Sequence, residues 1–524
     1  MSTTEVSASA LTQQSAIELA RMIANGEVSA VEVVEAHIAR IEQVNPVLNA
    51  VVVKRYEAAL AEARAADERK ARGESLGALH GVPVTIKEAL DVAGTPSTFG
   101  LPSRAGALAE RDDPYVARIK AAGAIVLGKT NVPQMLFYNE SDNPVYGRTN
   151  NPWNLDRTSG GSSGGEAAIL AAGGSALGLG SDWGGSVRTP AAFCGLASIK
   201  PTSGRVPDVG RHSLPVGQRA IVCQVGVMAR IVDDVALGFE VINGGPTPAS
   251  EPSRPLGDLN AVDVSKLRVA YYVDDGTFPV SPAVRRAVTE AAGMLAGRGA
   301  HVVEWRPPDA QHGLDLFYSL LAADGARGYK QIIGRDKRDP RLASLLALGS
   351  ASPALLAGLR LLLRLGGQRN TLAIVRNFGH RDTTHYWRLV EAQMAYEERF
   401  RAALDGDDGE PLDVIVCPAC SVPAFQHGAS RDLSTAGAYA PLYNLLGYPA
   451  GVIAVTRVRP GEETTRKASL DAMERAARKA EMGSAGLPIG VQVVARPWHE
   501  HVALAAMRAI EEAAIAQGEH PGMP

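Results

Sequence analysis

Cysteine is scarce in this chain of 524 residues, which has 4, and aromatic side chains make up only 5%. So few thiols exclude a disulfide framework and lead us to expect a reducing compartment, the cytoplasm. One Cys-x-x-Cys occurs, Cys417-Pro-Ala-Cys420. It lacks the second pair or the histidines that a zinc site uses, and reads as the end of a buried strand. No stretch reaches the roughly 20 apolar residues needed to span a bilayer, and the first thirty residues lack a basic segment followed by an apolar one. A soluble, unexported chain is the expectation. Neither sign of charge dominates: 53 Lys and Arg stand against 56 Asp and Glu, for a net charge of −3. Their interspersion leaves no basic stripe, so no nucleic acid is expected as a partner.

What the chain does have is hydrophobic residues (46%) and 54 glycines. Residues 10–75 carry apolar positions at helical spacing, with Ser29 as N-cap of a helix over Val31–Val44 and an Ala, Glu and Arg-rich helix after Asn49. From there short β-branched runs (Val82–Ile86, Ala124–Leu127, Ala176–Leu179, Leu267–Val273, Val491–Ala495) alternate with helical segments. That alternation predicts an α/β fold, a mixed central sheet covered by helices on both faces. We read 1–524 as one domain, with a catalytic core over 76–243 and a part over 256–524 that completes the sheet. Gly244–Pro255 reads as a surface loop, and Asp405–Pro411 as a turn into the strand Leu412–Cys417. Two segments look inserted: a leucine-rich one over 342–374, carrying Arg360, Arg364 and Arg369, and a charged helical one over 457–480.

Two serines stand out, Ser162 in Ser159-Gly-Gly-Ser-Ser-Gly-Gly165 and Ser186 in Gly180-Ser-Asp-Trp-Gly-Gly-Ser-Val-Arg188. Glycines on both flanks allow positive φ and let bare N–H groups approach a substrate carbonyl. Lys87 closes the apolar run Gly81-Val-Pro-Val-Thr-Ile-Lys, where burial lowers the proton affinity of an amine toward that of a usable base. Two patterns compete. Gly123-Ala-Ile-Val-Leu-Gly-Lys-Thr130 has the spacing of a phosphate loop, but its middle residues are a continuous apolar run that reads as a strand. Gly160-Gly-Ser-Ser-Gly164 fits a nucleophile elbow, which would pair Ser162 with a histidine. None of the 11 histidines lies in a comparable glycine frame.

Lys87, Ser162 and Ser186, together with the block ending Phe193-Cys-Gly-Leu-Ala-Ser-Ile-Lys-Pro-Thr202, resemble the amidase signature family, and within it the fatty acid amide hydrolase-like amidases. The resemblance runs from Glu42-Gln-Val-Asn-Pro-Val-Leu-Asn-Ala50 to Gly486–Glu500. It implies Ser186 as nucleophile, Ser162 as a hydroxyl relay preceded by a cis peptide, and Lys87 as base and then acid. It implies an oxyanion hole from the backbone N–H groups of Trp183, Gly184, Gly185 and Ser186, with Ser163, Asp182 and Arg188 holding that loop. Leu136 and Phe137 fall where the family places residues near the scissile amide and acyl chain. The implied substrate is a small-molecule amide, with hydrophobic acyl or aryl amides favoured, and no metal or organic cofactor is needed. The helical segment Pro353–Leu365 corresponds to an apolar cap, for which peripheral membrane contact is an expectation; a homodimer is another. The amidase subunit of a tRNA-dependent amidotransferase would carry the same three residues and is the alternative.

Overall fold

The computed structural model describes residues 7–206, 217–244, 254–406, 409–434, 437 and 439–524. Most of the Gly244–Pro255 loop and part of the Asp405–Pro411 turn lie outside the described residues. The frame is a mixed sheet of 11 strands. In chain order these are β1 Val51–Lys54, β2 Pro83–Lys87, β3 Ile125–Thr130, β4 Leu177–Asp182, β5 Ala197–Lys200, β6 Gln224–Ala229, β7 Arg268–Tyr271, β8 His301–Glu304, β9 Val414–Pro418, β10 Ala450–Arg457 and β11 Pro488–Ala495. Their spatial order is β1-β3-β2-β4-β6-β5-β10-β11-β9-β7-β8. Strands β3, β2 and β4 pair in parallel, as do β9, β7 and β8, while the strands between them are antiparallel. Every residue of β2, β3, β4, β6, β9 and β11 is buried, so both faces of the sheet are covered.

The expected strands are present with boundaries shifted by at most three residues. The Ser29-capped helix runs over Ala30–Leu48, with Ser29 and Glu32 closing a capping box. The helix expected directly after Asn49 begins only at Tyr56, because Val51–Lys54 first pairs with β3 as an edge strand. A four-residue edge strand with one buried residue carries too short a pattern to be distinguished from a loop. The inserted segment at 457–480 is helical only in its second half, Ala472–Glu481, where Asp471 supplies the N-cap. The leucine-rich segment forms three helices, Pro340–Gly349, Pro353–Leu365 and Arg369–Val375.

The phosphate-loop spacing at 123–130 is strand β3, as its apolar run predicts. Gly128 is small because β1 crosses there, and a Cβ would sit 2.4 Å from the Val53 carbonyl oxygen. Lys129 is fully buried, donating to the Pro96 carbonyl (2.6 Å) and Ser97 Oγ (2.8 Å). Gly128→Ala is therefore expected to destabilise the protein by about 1–3 kcal/mol through overpacking, read from the midpoint of urea unfolding.

Candidate active site

Strand β2 delivers Lys87 to the C-terminal edge of the parallel segment, with no side-chain surface left to solvent. Its Nζ lies 2.7 Å from Ser162 Oγ and 3.0 Å from both the carbonyl and the hydroxyl oxygen of Ser181. Burial pushes the Lys87 ammonium down to about 8, while Cys223, Asp182, Glu166 and Glu88 pull the other way. A free lysine near 10.4 would be almost wholly protonated at neutral pH; at about 8 a useful fraction is the free amine.

Ser162 occupies a turn that only small residues can make. The Gly161–Ser162 peptide is cis and Gly160 has φ +87°. A Cβ on Gly161 would meet the Tyr138 carbonyl oxygen at 2.5 Å. Ser141 Oγ braces this turn, donating to the Gly160 carbonyl (3.2 Å) and accepting from the Gly164 N–H (3.0 Å). The neighbouring Ser163 contributes through its backbone, its N–H donating to the Ser186 carbonyl at 3.1 Å. Its hydroxyl is buried without a partner among the described residues, so the expected bracing comes from the main chain.

After β4 the chain turns through Trp183–Val187, and a buried ion pair fixes this loop. Asp182 Oδ1 accepts from the Gly185 N–H (2.8 Å) and Oδ2 from the Val187 N–H (3.1 Å), and the Arg188 guanidinium grips both oxygens at 3.0 Å. Arg188 also donates to the Ala440 carbonyl (3.0 Å) and Gln492 Oε1 (2.6 Å), tying the loop to the far half of the sheet. Burial pushes the Asp182 carboxyl up, but Arg188 and Asn444 outweigh it and hold it below the usual carboxylate range. Of the four amides that the resemblance implies for an oxyanion hole, that of Gly185 donates to Asp182. The N–H groups of Gly184 and Ser186 have no hydrogen-bond partner among the described residues. Trp183 is held by its indole, which donates to the Ile221 carbonyl at 2.7 Å.

Ser186 is half-buried on the wall of a cavity of about 510 Å³. Leu136, Phe137, Trp183, Gly184, Phe317 and Tyr329 line it together with Ser186, and Leu345, Leu359, Leu363, Ile374, Val375 and Phe378 come from the leucine-rich segment and the residues that follow it. Leu136 and Phe137 follow a backbone with Met135 at φ 56°, Leu136 at 60° and Tyr138 at 74°. Phe137 packs edge-on against Tyr329 with ring centroids 4.8 Å apart. Ser430, Arg431, Asp432 and Ser434 provide polar surface. No histidine lines the cavity among the described residues, and the partner of Ser162 is an amine, which leaves the nucleophile-elbow reading without its base.

The amidase family model matches residues 32–504. The chain belongs to the amidase family. It is 34% identical over 518 residues to a fatty-acid amide hydrolase 1 of Sus scrofa, covering 96% of this chain and 86% of that protein. It is 42% identical over 309 residues to an indoleacetamide hydrolase of Bradyrhizobium diazoefficiens, covering 57% of each. A solved fatty acid amide hydrolase superposes with a TM-score of 0.83 at 26% identity, over 97% of this chain and 86% of that one. The central sheet of this amidase is thus the amidase signature fold.

Two residues of the amidase site escape a linear reading. Ser181 sits one residue before Asp182 and reaches Lys87 by both side chain and carbonyl; only its glycine neighbour hinted at it. Glu166 is fully buried, with Thr130 Oγ1 donating to it at 2.7 Å and Thr85 donating to its other oxygen. Burial raises its carboxyl to about 7. A lone glutamate in a glycine and alanine-rich helix carries no signal of this. Cys417 and Cys420 are free and buried, with Gln492 Nε2 3.3 Å from the Cys417 sulfur, consistent with a packed strand end. Because Arg188 and Asp182 both have no exposed side-chain surface, Asp182→Ala is expected to cost about 3–5 kcal/mol by stranding a buried charge. Denaturant unfolding measures it.

Proposed function

We propose that this amidase hydrolyses amides of hydrophobic carboxylic acids through an acyl-enzyme on Ser186, with Ser162 and Lys87 moving the proton. The observation that carries the reading is the 2.7 Å contact between the buried amine and Ser162, beside a half-buried serine on an apolar cavity. The neutral Lys87 amine accepts the Ser162 proton as Ser162 accepts that of Ser186, whose oxygen attacks the amide carbon. Negative charge then forms on the carbonyl oxygen, where the free N–H groups of Gly184 and Ser186 can stabilise it. The proton returns by the same route to the departing nitrogen, which leaves as ammonia or an amine. Water repeats the sequence on the ester and frees Ser186. Lys87 needs no second base, because its own site has already lowered its proton affinity.

The cavity supports the choice of acyl group. Its leucines, Ile374, Val375 and Phe378 offer an apolar sleeve to a chain or ring, and leucine-lined walls gain roughly 25 cal/mol for each Å² of apolar surface they cover. The amidase subunit of a tRNA-dependent amidotransferase would work with partner subunits and channel ammonia, and mainly apolar walls favour the free-standing hydrolase. Turnover of an amide by the purified chain alone, without tRNA, separates the two.

The cap helix Pro353–Leu365 has two apolar faces. Leu359 and Leu363 face the cavity, whereas Leu355, Leu361, Leu362 and Leu365 are 64, 57, 68 and 76% exposed. Between 327 and 381 there are 11 basic residues against 2 acidic ones. Among the described residues no single helix is long and apolar enough to cross a membrane. Exposed leucines with basic neighbours suit a helix lying on an anionic lipid surface. Co-sedimentation with phosphatidylserine vesicles is expected for the wild type and lost in Leu361→Ser/Leu362→Ser.

Oleamide is expected to be turned over by the wild type, with kcat falling roughly 10⁶-fold in Ser186→Ala. Replacement of Lys87 by alanine should cost about 10²–10⁴-fold as the base is lost. In the wild type kcat/KM should rise with pH and level off above about 8. The sign follows from the amine: below that pH it carries the proton it must accept. A profile that is flat from pH 6 to 9 would remove Lys87 from the mechanism.

A further inference from the structure

The two inserted segments meet, although more than a hundred residues separate their contacts. They meet at two helix N-termini, and each helix is capped by the other's N-cap residue. Gln368 is the N-cap of Arg369–Val375, and makes no side-chain bond to its own helix. Instead its Oε1 accepts from the Ala472 N–H at 2.8 Å, at the start of Ala472–Glu481, and its Nε2 donates to the Leu470 carbonyl at 2.7 Å. Asp471, the N-cap of Ala472–Glu481, uses Oδ1 for its own helix, accepting from Met473 and Glu474. Its Oδ2 reaches across and accepts from the Asn370 N–H at 3.0 Å. N-terminal amides of a helix have no partner within it, so each segment satisfies donors the other leaves open.

Both helices bring side chains to the cavity that holds Ser186: Thr371, Ile374 and Val375 from one, Ala472 and Met473 from the other. Asp471 is buried beneath this junction. We propose that the reciprocal cap between Gln368 and Asp471 sets the position of this wall and so determines selectivity for long acyl chains. The inference rests on the reading of the cavity as the acyl site. Neither residue touches the reacting atoms; both act through the residues they position. On this reading the wall serves the far part of a long acyl chain and not a short acyl group, whose turnover is then indifferent to the cap.

The test uses two near-isosteric variants. Gln368→Met removes both crossing bonds of that side chain. Asp471→Asn keeps an oxygen for its own helix, asparagine being as good an N-cap as aspartate, but puts an N–H₂ where Oδ2 accepted from Asn370. Kinetics of oleamide and propionamide are measured for the wild type, each variant and the double variant. KM for oleamide should rise about tenfold in Asp471→Asn, the worth of one hydrogen bond, and at least as much in Gln368→Met, which loses two, with kcat and propionamide turnover unchanged. The double variant should be little worse than either, since both break one junction. A wild-type preference for oleamide that all variants keep overturns the inference alone. So does an equal loss on both amides, which marks the junction as merely structural. Equal use of the two amides by the wild type overturns the acyl-site reading, and the inference with it.

Discussion

Desolvation of the Lys87 amine is the constraint on which the rest of the site depends. A buried ammonium without a carboxylate in contact is costly, and here it is offered only Ser162, Ser181 and a carbonyl. That poverty of partners keeps its proton affinity low, at about 8. The surroundings serve the same end. Parallel strands on both sides of β2 exclude water from the strand end, and the glycines of the 159–165 turn let Ser162 approach where any larger residue would strike the Tyr138 carbonyl. Asp182 and Glu166 lie near enough to raise the affinity again, yet Asp182 is neutralised by Arg188, and burial favours the uncharged form of Glu166.

The Asp182–Arg188 pair links this pocket to the rest of the molecule. It holds the loop that ends in Ser186, and its guanidinium reaches Ala440, Asn444 and Gln492 in the C-terminal part. The loop that carries the proposed nucleophile is therefore braced by both halves of the sheet. A buried pair of this kind adds little net stability for its desolvation cost, but its geometry is strict. That strictness fixes the turn that carries the Gly184 and Ser186 amides.

The segments over 342–374 and 457–480 obey a looser logic. The cavity walls they build are apolar, and apolar contacts impose distance but little direction. Direction there comes from helix ends, whose unsatisfied N–H groups must find acceptors. The junction of Gln368 and Asp471 solves that need for two helices at once, both of which line the cavity.

Sequence alone marked the residues of the proposed site: Lys87, Ser162 and Ser186 stood out because flanking glycines and an apolar run dictate local conformation, and the strand carrying Lys87 was legible from that run. The β-branched runs likewise announced the α/β frame, and the continuous apolar run at 124–127 exposed a false phosphate loop. Tertiary structure alone decided which groups meet. Ser181 and Glu166 are 94 and 81 residues from their partners Lys87 and Thr85, and β1 was hidden because an edge strand is defined by its neighbour. That the Gly185 amide donates to Asp182, and the Ser163 amide to the Ser186 carbonyl, was likewise beyond the sequence, because hydrogen bonds depend on orientation within a turn rather than on residue type. Local pattern encodes what a residue can do; the pairing of distant strands and helix ends determines to what it does it.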